Sequence, residues 1–65
     1  MWMVVGMASN QSMADGMRKA LESEGVLVKV RSTSVRAKQA SNAYEVLVLE
    51  SEADSSREIL LENGY

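Results

Sequence analysis

Apolar positions along the chain follow two rhythms. From Val26 to Arg31 they alternate, with Val26, Val28 and Val30 on one side and Leu27, Lys29 and Arg31 on the other. Tyr44 to Glu50 repeats this, with Tyr44, Val46 and Val48 opposed to Glu45, Leu47 and Leu49. A period of two puts successive side chains on opposite faces of a strand. The second segment is apolar on both faces, as a central strand is. Met1 to Ala8 is an almost unbroken apolar run around Val4 and Val5. A helix competes for that run, but Gly6 and the short length favour a strand buried on both faces.

Two segments carry the helical rhythm instead. Ser9, Asn10, Gln11 and Ser12 supply N-cap candidates. Met13, Met17, Ala20 and Leu21 then share one helical side with Glu24. Gly25 ends this helix, and Leu21 and Val26 are spaced for the apolar contact of a Schellman stop. Gly16 interrupts the helix at a cost of about 1 kcal/mol relative to Ala. Either close packing or simple tolerance accounts for it. A second helix follows Ser51, where S-E-A-D reads as a capping box with Asp54 in the acceptor position. Ala53, Ser56, Ile59 and Leu60 form its inward side. Gly64 ends it, and Leu60 and Tyr65 repeat the Leu21/Val26 spacing.

The order strand, helix, strand, strand, helix predicts an α+β domain over residues 1–65. It is a truncated ferredoxin-like βαββα plan with a three-stranded antiparallel sheet of order 1-3-2. Both helices are expected on the valine face. No element then remains for the opposite face, which carries Leu27, Leu47 and Leu49, and the first strand is left as an apolar edge. A homodimer through the leucine face, the first-strand edge or both is therefore expected, with Trp2, Leu27, Leu47 and Leu49 in the interface. Lys29 or Arg31 is expected to pair with Glu45 on that face.

Composition narrows the chemistry. The chain has 65 residues and neither cysteine nor histidine. That removes disulfides, thiolate metal sites and the usual general base near neutral pH. No Asp/Asn loop with calcium-binding spacing occurs, so no metal and no cofactor are expected. A formal charge of −2 disfavours bulk binding to nucleic acid or anionic membranes. The N-terminal run lacks a cationic flank and is too short for a membrane span, which points to the cytoplasm.

The segment RSTSVRAKQASNAY, Arg31 to Tyr44, joins the second and third strands. Lys29, Arg31, Arg36 and Lys38 fall close together here, with no carboxylate before Glu45. Such a cationic connector can hold a phosphate, a nucleotide or an acidic protein surface. It also has the composition of an ordinary solvated loop, and no Gly-rich phosphate-binding motif accompanies its charges, since Gly6, Gly16, Gly25 and Gly64 all lie outside it. Trp2 and Tyr44 are candidate stacking residues for an RNA-binding sheet. The methionines Met1, Met3, Met7, Met13 and Met17 read as core filler or as an adaptable contact surface.

MWMVV, LESEGVLVKVR, YEVLVLESE and LLENGY together resemble small bacterial proteins grouped as prokaryotic signal-transducing proteins, a family of unknown function distantly similar to PII-type regulators. The resemblance covers nearly the whole chain and implies a ferredoxin-like fold with a signalling loop between the second and third strands. Leu49, where a proline is more typical, and Gly6, where a bulkier residue is, depart from the pattern. The expected function is a non-catalytic regulatory or adaptor domain, dimeric, acting through protein contacts or small-anion binding at residues 31–44. A structural interaction module without ligand is the alternative, and an RNA-binding sheet a weaker one.

Overall fold

The computed structural model describes residues 1–32 and 43–65. Its elements are β1 (Trp2–Ala8), α1 (Gln11–Glu22), β2 (Val28–Ser32), β3 (Tyr44–Leu49) and α2 (Ala53–Glu62), with one 3-10 turn at Glu50–Glu52 before α2. The sheet order is β1-β3-β2, and β3 pairs antiparallel with both neighbours. This is the α+β, ferredoxin-like βαββα arrangement that the apolar rhythm predicts.

The helices cover the valine face. Ala14, Met17 and Leu21 from α1 and Ala53 and Leu60 from α2 pack with Val46 and Val48 of β3. Val28, Val30 and Tyr44 border the same cluster. Fully burying a side chain such as Leu21 or Val46 contributes about 1.5–3 kcal/mol relative to leaving it exposed. Ser56, on the inward side of α2, is also fully buried, and among the described residues its hydroxyl has no hydrogen-bond partner.

Both helices end in the same way. Gly25 and Gly64 adopt φ of 84° and 87°, a conformation that other residues enter only with strain. Val26 N–H donates to the Leu21 carbonyl at 3.1 Å, and Tyr65 N–H to that of Leu60 at 2.9 Å. Gly25 and Gly64 donate to Glu22 and Leu61. These are paired Schellman stops. The first explains why β2 begins at Val28 rather than Val26: Val26 is buried and held by the end of α1.

The two helix starts differ. The Asn10 side chain accepts from Met13 N–H at 2.8 Å, so α1 is capped as expected. The capping box at Ser51 does not form. Glu50 N–H donates to the Met1 carbonyl at 2.8 Å, which keeps the chain on the sheet up to that residue. The 3-10 turn then takes up Ser51, and α2 starts after Glu52 without a side-chain cap.

Gly6 and Gly16 have packing roles. The β1–β3 register slips between Val4 and Gly6, leaving Val5 as the extra residue of a bulge. Gly6 lies against Met17, whose terminal methyl occupies the space a Cβ would need. At Gly16 the Tyr65 hydroxyl occupies that space. Close packing, not tolerance, therefore accounts for the glycine inside α1.

Candidate interaction surface

The strand registers decide which side chains share the face opposite the helices. Trp2 pairs with Leu49, Val4 and Lys29 both pair with Leu47, and Arg31 pairs with Glu45. Directly paired residues point to the same face. Trp2, Val4, Met7, Lys29, Arg31, Glu45, Leu47 and Leu49 therefore stand together.

This face is not the bare leucine surface expected from the sequence. Leu47 is only 4% exposed, and Leu49 is half-buried. The Lys29 ammonium lies 5.1 Å from the centroid of the Trp2 ring. β1 and β2 are the outer strands, so a contact between their side chains must pass across β3. The lysine stem and the indole thus shelter the central leucines within a single chain. Leu47 thus already has cover from its own chain. Leu27, just before β2, remains 62% exposed, and Trp2 is partly exposed.

The cationic residues are divided. Arg31 donates from Nε and Nη2 to Glu45 Oε1, at 2.9 and 2.6 Å. Its guanidinium is largely exposed, so the pair is worth at most about 1 kcal/mol. The expected cross-strand pairing is thus made by Arg31, while Lys29 turns to Trp2. Both lie on β2 as it leads into the connector. Arg36 and Lys38 lie outside the described residues. Trp2 and Tyr44 cannot form one stacking platform: Tyr44 faces the helices with Val46 and Val48, and Trp2 faces away.

A second surface, which the apolar rhythm does not announce, borders β1. A groove of about 510 Å³ is lined by Val5, Gly6 and Met7 of β1, by Met13 and Met17 of α1, and by Leu60, Leu61 and Tyr65 at the end of α2. Gly64 and Arg57 complete the lining, and Arg57 is held 3.3 Å from Asp54. Among the described residues the large apolar side chains that reach solvent concentrate along β1, on both of its faces, and at this groove. Met1, Trp2, Val4 and Met7 belong to β1 or its start, and Met13, Leu61 and Tyr65 rim the groove. Leu27 is the one such residue elsewhere. The methionines therefore serve both purposes raised by their spacing: Met17 and Met3 pack in or against the core, while Met7 and Met13 are exposed.

Among the described residues no three His, Cys, Asp or Glu side chains gather as metal ligands, and no helix is long and apolar enough to cross a membrane. No protein-family model matches the chain, and no curated protein or solved structure matches it significantly.

Proposed function

We propose that this chain is a non-catalytic regulatory or adaptor domain that acts in the cytoplasm as a dimer, through contacts with proteins or through a small anion bound at residues 31–44. The observation that carries the reading is the concentration of solvent-reaching apolar side chains around β1 and its methionine-lined groove. Contiguous apolar surface of this kind marks protein contact sites, and methionine adapts to varied partners. The anion part rests on Lys29 and Arg31 at the entry to a connector whose sequence adds Arg36 and Lys38. The resemblance to signal-transducing proteins points the same way, as an analogy of pattern.

A thermal-shift series with nucleotides and organic acids tests the anion part, alongside a variant with Arg31, Arg36 and Lys38 changed to Ala. Stabilisation by an anion in the parent chain and its loss in the variant is the expected result. Equal stabilisation of both proteins would remove the connector from the reading. A structural interaction module without ligand is the second reading. It is favoured by the existing engagements of the two described cations, Arg31 with Glu45 and Lys29 with Trp2. An RNA-binding sheet has less support, because its two candidate aromatic residues face opposite ways.

A further inference from the structure

The two edges of the sheet are protected unequally. β2 carries Lys29 and Arg31, both exposed, and charged side chains on an edge discourage another strand from pairing there. β1 has no charged residue along its seven positions, and among the described residues no strand pairs with its outer side. An uncharged strand of this length invites the addition of another strand.

We infer that the occupant of the β1 edge is β1 of a second copy, paired antiparallel about a twofold axis to give a continuous six-stranded sheet. Three observations favour a second copy. A strand without charge meets its own image with no like charges opposed. The cations of β2 disfavour β1-to-β2 and β2-to-β2 pairing, so association closes at two copies instead of growing into a filament. The pairing also keeps both helical layers on one side of the joint sheet. It brings the Met13 and Leu61 rims of the two grooves toward each other on the helical side, and Met7 of each copy toward the joint on the opposite face.

This inference rests on the dimeric part of the proposed function and names its interface. Sedimentation of the full chain over a concentration series is the test, with Met7→Lys and Leu61→Glu compared by circular dichroism as a check on folding. Met7 lies opposite Glu45, so the fold accommodates a lysine there. The parent chain is expected at twice its 7.1 kDa mass, and both variants are expected as folded monomers. Amide exchange of the parent chain provides a reading independent of the variants: β1 amides should slow as concentration rises while β2 edge amides do not. A parent chain that stays monomeric throughout overturns this inference together with the dimeric reading. A dimer that survives both substitutions, or whose β1 amides exchange alike at all concentrations, overturns the β1 interface alone. Slow β1 exchange in a monomer would overturn it too, in favour of cover from another segment.

Discussion

Lys29 and Trp2 stand on the two outer strands, yet the ammonium of one lies 5.1 Å from the ring centroid of the other, across the face of β3. The contact offsets a shortage inherent in so small a domain. Two helices cover one face of the sheet, and among the described residues the opposite face draws cover from its own side chains. A long amphipathic stem and a large ring achieve this for Leu47.

Shortening either partner should therefore expose the central leucine. Trp2→Ala is expected to cost about 1–3 kcal/mol, the range for burying a large apolar side chain. Lys29→Ala should cost about 0.5–1 kcal/mol, and Lys29→Met, which keeps the stem, should cost less. Urea denaturation gives the energies. Trp2 is the only tryptophan, so for the Lys29 variants its emission reports the contact directly. Unchanged emission and midpoint in Lys29→Ala would show that the side chains do not meet in solution.

Gly16 and Tyr65 make a second long-range pair, with the hydroxyl of one placed where the other has no side chain. A Gly→Ala change inside a helix normally gains about 1 kcal/mol. Here it should gain less, because the methyl displaces the tyrosine ring. In a Tyr65→Ala background the full gain should return. The double-mutant cycle measures the difference as a coupling energy. Additive effects would contradict the packing described.

Ser56 offers a stabilising change. Its hydroxyl is fully buried without a partner among the described residues, a state that costs about 1–3 kcal/mol. Ser56→Ala removes it and suits the helix better, so a gain of about 1 kcal/mol is expected. In a domain of this size that raises Tm by about 4–8 °C. A lower Tm would show that the hydroxyl is bonded in solution.

What the sequence made legible was mostly local. The stops at Gly25 and Gly64 depend on residues five apart, and both form as the Leu21/Val26 and Leu60/Tyr65 spacing predicts. The central place of β3 was readable because Tyr44–Leu49 is apolar on both faces. Features set by distant parts of the chain were not. Periodicity places Lys29 and Trp2 on a face but says nothing of how far their side chains reach across it. The role of Gly16 depends on a residue nearly fifty positions later. The capping box at Ser51 fails because Glu50 is still bonded to Met1, at the other end of the chain. The groove is not legible in the sequence for a related reason: its walls come from three elements, and no single stretch displays it. Of the proposed cationic residues, Lys29 and Arg31 are placed on one face, and that placement follows from their spacing of two.

The central position of β3 also constrains how the molecule is made. Among the described residues β1 and β2 form no ladder with each other; both pair with Tyr44–Leu49. While the ribosome is still short of Tyr44, the emerging polypeptide has two prospective strands and nothing to zip them to. Its earlier half must wait, with Met1–Ala8 greasy and accessible to chaperones, until the third strand arrives and both ladders close together.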